Sequence, residues 1–291
     1  MEPTSSGARG DLAGGGEQGL HFTRRFLPES LALTEPLTFL SPVESLTLNQ
    51  IRGHAYLGLL ELVEGVFLPR VLDRAIALNP GDELALGALR RVVDEKANHV
   101  QLFRRFRDHF CRGFGSPCEV VGSTAGLGRT LAAPHPLAAA LAVLHVESTA
   151  ARHQSAGRDD EGLEPQWRRL LELHGTEEAW HSRRDTTLVT VLAESCSALE
   201  VGRGVEQFLS LVGLLECTLE EQVHLDLESL VRAAGRELSE GEREAFQTVQ
   251  RRANLWTFLG SGLTHASFLS TLGGLGPAAR EHVERAAASF R

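Results

Sequence analysis

Cysteine is scarce in this 291-residue chain. Its four copies, Cys111, Cys118, Cys196 and Cys217, are too few and too scattered for a disulfide framework. Cys111 and Cys118 bracket a glycine-containing loop without the spacing of a metal knuckle. Positive charge is also short: 29 Lys and Arg face 38 Asp and Glu, for a formal net charge of -9. No basic stripe is available to displace counterions from phosphates, so nucleic acid is excluded as a partner. The pairs Arg104-Arg105 and Arg183-Arg184 are interleaved with acids and read as solvated helix faces. No apolar run approaches about 18 residues and none follows a basic start, so a membrane span or secretory signal is not expected and a cytoplasmic protein is. Alternating strands of useful length and a Ser-His-Asp arrangement are missing too. The glycines from Gly122 to Gly128 lack the lysine and the strand-to-helix setting of a phosphate loop.

What the chain does contain is helix. Residues 1–20 are rich in Gly, Ser and Glu, cannot offset their own ordering entropy and are expected to be a disordered tail. Residues 21–47 read as an extended lead-in draped over the body, and 48–291 as a single helical domain. Helices are expected over about Asn49 to Leu78, Glu83 to Arg112, Pro136 to Gln154 and Leu163 to Ser195, with others near 199–234, 240–262 and 277–290. Asn79-Pro80-Gly81-Asp82 separates the first two, and the glycines from Gly113 to Gly128 make a loop. Long helices joined by short turns are the raw material of a four-helix bundle, where inward-pointing side chains build metal sites.

The most informative segment runs from His174 to Asp185. At about 100° per residue, Glu178, His181 and Asp185 fall within about 40° of His174, so two imidazoles and two carboxylates share one narrow stripe. Leu170, Leu171, Leu188 and Leu192 continue that stripe, which argues for an inward face over a polar outer one. Glu178 and His181 form a Glu-x-x-His pair, and imidazole with carboxylate is a donor set suited to iron or manganese. Glu147 is the lone carboxylate of a helix built mostly of Ala, Leu and Val, where a ligand is physically cheaper than an unsatisfied burial. The first helix offers Glu61 and Glu64, of which Glu64 shares the stripe of Leu57, Leu60, Phe67 and Val71.

The second helix breaks the pattern. His99 is present, but a Glu-x-x-His unit needs an acid at 96, where this chain has Lys96. Glu95 lies close enough in angle to reach the same metal. A buried Lys96 would be driven towards its neutral amine, able to ligate or relay protons; a surface lysine is the other reading. Asp185, and Asp226 in His224-Leu-Asp226, could stand behind the ligands and orient them. His145 and His153 read as structural or exposed, His265 as a loop residue, and Tyr56, the only tyrosine, as a core or interface residue.

In this order of elements the chain resembles the ferritin-like di-iron oxygenases related to p-aminobenzoate N-oxygenase. The residues that carry the likeness are Glu64 or Glu61, His99, Glu147, then His174, Glu178 and His181, with a 27-residue step from Glu147 to His174. The resemblance covers about Leu48 to Phe268 and departs at Lys96. It implies an all-α fold with a ferritin-like four-helix core and additional C-terminal helices. It also implies one or two iron ions (manganese being the other candidate), dioxygen, an external electron donor and a small, amine-containing substrate. Such bundles often dimerise, so a homodimer is a further expectation. The competing reading is a non-catalytic helical metal-binding or assembly protein whose site Lys96 leaves incomplete.

Overall fold

The computed structural model describes residues 19–78, 83–122 and 134–290. The tail expected over 1–20 lies almost wholly outside the described residues, as do Asn79 to Asp82 and the glycines from 123 onward. Among the described residues the chain is all-α, and the one bridge between extended segments joins Arg25 to Leu163.

The lead-in is not extended throughout. It contains a short helix, α1 (Glu29–Ala32), and the first long helix, α2 (Pro42–Leu62), begins several residues earlier than hydrophobic periodicity suggests. The cause is local: Ser41 and Glu44 form a reciprocal capping box, and Pro42 supplies a preset φ at the first helical position. The lead-in is tied down from α2. The Asn49 amide accepts from the N–H groups of Phe26 and Leu27 at 2.7 and 3.0 Å and donates to the Leu27 carbonyl at 2.9 Å. Phe26 is fully buried and stacks on Trp167, an apolar contribution of about 1.5–3 kcal/mol.

A π-helical turn, Val63–Phe67, carries α2 on into α3 (Leu68–Leu78). Then come α4 (Glu83–Gly113), α5 (Pro136–Gly157) and α6 (Pro165–Glu194). These helices form the four-helix core, and their sequences explain who sits inside. From Leu48 to Leu60 of α2 and from Pro136 to Ala150 of α5 every residue is buried, so both helices are enclosed on all sides. The amphipathic α4 and α6 lie outside them, α6 along α5 and α4 along α2.

Behind α2 and α5 packs α7 (Ala198–Ala234), closed by the left-handed Gly235, followed by α8 (Glu240–Leu255). A second π turn, Trp256–Gly260, and a single turn, α9 (Ser261–Leu263), press against α5. The expected helix at 240–262 is thus interrupted. Residues near His265, read as loop from sequence, instead open another helix, α10 (Ala266–Leu275), before α11 (Pro277–Ala287). No described helix is long and apolar enough to cross a membrane.

Close approach of α5 and α6 depends on Gly175, where a Cβ would run into the Gln154 side chain and the Ala150 carbonyl. Gly175→Ala is expected to cost about 1–3 kcal/mol in urea unfolding, the usual penalty of overpacking. A second expectation concerns acid. Arg236 and the Ser41 N–H hold the Glu44 carboxyl down at about 2. Its stabilising contribution is therefore full above the unfolded value and disappears as pH falls through about 2. Glu44→Gln should lower stability at neutral pH, with the gap from wild type closing in urea titrations as pH falls.

Candidate metal centre

Each inner helix brings one buried acid to the same place. Glu64 stands in the π turn that follows α2, a local irregularity common at functional sites. Gly65 lets α4 come close: a Cβ there would sit 3.1 Å from Val100. That contact seats His99 beside Glu64, with its Nδ1 3.0 Å from Oε2. From α6, His174 Nε2 lies 3.1 Å from Glu64 Oε1, so the carboxylate spans two imidazoles. The two rings meet edge to face with centroids 4.8 Å apart.

Glu178 is the hub. Its Oε2 is ion-paired with Lys96. Its Oε1 is surrounded by three imidazole nitrogens, His99 Nδ1 at 3.1 Å, His181 Nδ1 at 3.8 Å and His174 Nε2 at 3.9 Å, yet makes no hydrogen bond. Both oxygens of Glu147, from α5, are buried without a hydrogen-bond partner, as is His181 Nδ1. Orphaned acceptors converging in a dry core are what a cation would satisfy. Ligand atoms of Glu64, His99, His174 and Glu178 lie within 4.8 Å of one another, as do those of Glu147, Glu178 and His181. Glu178 belongs to both groups, so the donors describe two adjoining subsites with one shared carboxylate.

Charge in the cluster is set by neighbours. Burial opposes ionisation of Glu64, but Lys96, His174 and His99 outweigh it and hold the carboxyl below its ordinary range. Burial likewise opposes the charge on His99, while Glu64 and Glu177 raise it to about 9. Glu178 is held well down by Lys96 against its own burial. Glu147 goes the other way: burial, and then the charge of Asp185, push it well above the usual carboxylate range.

Lys96 departs from expectation. It is 1% exposed, so it is not a surface residue, and it is not a neutral amine. Burial works against its charge, but Glu178, Glu64 and Glu147 together raise its pKa above that of a free lysine. It is also the only lysine in the chain, set against 28 arginines. Lys96 thus stands among the donors rather than behind them, a fixed ammonium on the shared carboxylate.

Other candidates do not join. Glu61 faces outward to Arg104 and Arg107, each at 2.6 Å. Glu95 is held by Arg184 at 2.7 Å and lies 3.7 Å from His181 Nε2, the ring nitrogen opposite the one that faces Glu178, so it stands behind His181 and not among the converging donors. Asp226 belongs elsewhere, bonded to Arg52 and Gln222 in a buried network under the lead-in. Asp185 does lie against Glu147 and takes a bond from Arg184 at 2.9 Å. Sequence reasoning missed Glu177, whose Oε2 is 2.9 Å from His99 Nε2 and fixes that ring from behind. Its place one residue before Glu178 on the same helix was the available signal. His145 and His153 are buried on backbone carbonyls of the second π turn.

The model of the p-aminobenzoate N-oxygenase AurF family matches residues 52–209, more than half of the chain and every residue of the cluster. The chain belongs to the p-aminobenzoate N-oxygenase family. Membership places it among oxygenases of the di-iron kind, in keeping with the all-α fold. No curated protein matches the chain. Among solved structures, an R2-like ligand-binding oxidase with a reconstituted Mn/Fe cofactor is similar at 13% identity and a TM-score of 0.38, over 87% of this chain and 93% of that one. Backbones that differ this far do not bear on the geometry of the site.

Opposite shifts at two acids give opposite expectations. In metal-free protein, Glu178→Gln leaves a buried ammonium without its partner and should cost about 3–5 kcal/mol. Glu147→Gln removes a carboxyl whose ionisation burial already opposes and should stabilise. Urea unfolding in chelator, where both changes had the same sign, would contradict this charge assignment.

Proposed function

We propose that the chain is an iron-dependent oxidase or oxygenase that uses dioxygen and an external electron donor to oxidise a small, amine-containing molecule. The observation that carries this reading is the convergence of three carboxylates and three imidazoles into two subsites sharing Glu178. Glu64, His99, His174 and Glu178 would hold one ion; Glu147, Glu178 and His181 would hold the other. Imidazole with carboxylate suits iron and also admits manganese. Iron bound there would supply the redox chemistry that dioxygen activation requires.

The chain's own residues set the terms. Glu177 orients the His99 ring, and Asp185 stands beside Glu147. Of the six ligands, His181 has the most exposed side chain, 21%, so the cluster meets solvent on its side. Lys96 makes the subsites unequal. The subsite with four donors is nearly charge-balanced for one divalent ion. The other has three donors, and the Lys96 ammonium already occupies Oε2 of the acid they share.

The test is metal content with oxygen uptake. Elemental analysis should find one tightly held iron per chain and a second held more weakly, and the reduced protein should consume dioxygen faster when small arylamines are added. Lys96→Glu is expected to tighten the second ion at least about tenfold, or about 1.4 kcal/mol. A chain that takes up no iron under reducing conditions would reject the reading.

A further inference from the structure

The oxidation chemistry proposed above makes no use of the chain's tyrosine, a redox-capable side chain. Tyr56 is the only tyrosine in the chain and is 2% exposed. Its hydroxyl lies 2.8 Å from His153 Nδ1. The far side of that imidazole settles who donates. His153 Nε2 is 2.9 Å from the Thr257 carbonyl, which can only accept, so Nε2 carries the hydrogen. Nδ1 is then a lone pair, and the phenol O–H donates to it. Burial keeps the ring in that neutral form, holding His153 down at about 3.

Geometry ties this pair to the metal centre. Tyr56 precedes Glu64 by two turns on the same helical run, a rise of about 12 Å. His153 lies on α5, six residues after Glu147. Burial, and then the charge of Glu64, raise the Tyr56 phenol above its ordinary range, so the side chain rests as the protonated phenol. Phe258, from the second π turn, packs on the phenol ring, and Ser261 closes the other side of the imidazole.

Resting on the iron-dependent reading above, we infer that Tyr56 is a one-electron relay to the metal centre, with His153 as its proton acceptor. One electron leaves the phenol for an oxidised iron ion, which is reduced by one unit. The O–H proton moves to His153 Nδ1, giving a phenoxyl radical and an imidazolium. No group has to move. In the product Nδ1–H donates to the phenoxyl oxygen and Nε2–H still donates to Thr257, so both protons of the buried imidazolium have acceptors in place. His145 lacks such an arrangement: its Nε2 bonds to the Leu259 carbonyl, and no phenol stands on its other nitrogen.

A single tyrosine makes the experiment unambiguous. Protein made with ring-deuterated tyrosine is loaded with ferrous iron, mixed with dioxygen and frozen for EPR, with iron content and oxygen uptake measured on the same sample. The expected result is an organic radical whose hyperfine pattern narrows on deuteration and is absent from Tyr56→Phe. His153→Leu should slow its formation roughly a hundredfold, the contribution of a positioned proton acceptor. His153→Gln, which keeps a hydrogen-bonding side chain but cannot take the proton, should behave like His153→Leu while preserving the fold by circular dichroism. Bound iron and consumed oxygen without a tyrosyl signal would overturn the relay and leave the oxidase reading standing. If no iron binds, that reading fails separately, and the pair is tested in metal-free protein with a photogenerated ruthenium oxidant. Equal yields of tyrosyl radical from wild type and His153→Gln would then overturn it.

Discussion

Glu178 is the point on which the core turns. It is fully buried, carries the ammonium of Lys96 on one oxygen and has three imidazoles about the other. A charge so placed is tolerable only because its neighbours are fixed, and they are fixed by helices that could not otherwise come together. Gly65 brings α4 to Glu64, and Gly175 brings α6 to α5. Each glycine is adjacent in sequence to a member of the cluster, Glu64 or His174. Backbone approach and electrostatics are thus one constraint: the helices must pack this closely for the charges to be compensated, and the charges penalise any looser packing.

Much of this was legible in the sequence because helical spacing converts directly into direction. His174, Glu178 and His181 were placed on one face by angle alone, and all three meet in the cluster. Glu147 was legible for the opposite reason: it is a single acid in an apolar helix, and only a buried partner makes sense of it. Glu61 and Glu64, three residues apart, could not be separated by periodicity with certainty, because the π turn after Leu62 changes the angle per residue just where it matters. Glu95 and Asp226 were misplaced because their partners, Arg184 and Arg52, are distant in sequence and only the fold brings them near. The start of α2 was mistaken by trusting hydrophobic pattern over the capping signal of Ser41, Pro42 and Glu44.

The hardest residue to read was the most telling. From sequence, Lys96 was an absence, a missing carboxylate. In the structure it is a presence: a buried ammonium paired with Glu178 where the helical pattern calls for an acid. The same six donors therefore work beside one more cation than a site with an acid at that position would have. An ion held at Glu178 would compete with the Lys96 side chain for the electrons of one carboxylate.

The solitary, buried Lys96 also gives the chain an unusual chemical surface. The chain has no second lysine, so the outside of the folded protein offers no ε-amine. An amine-directed reagent can reach Lys96 only when α4 and α6 part. The rate at which that one side chain is modified is therefore a clock for opening of the core, read at a single site and in the same place where the charges are stored.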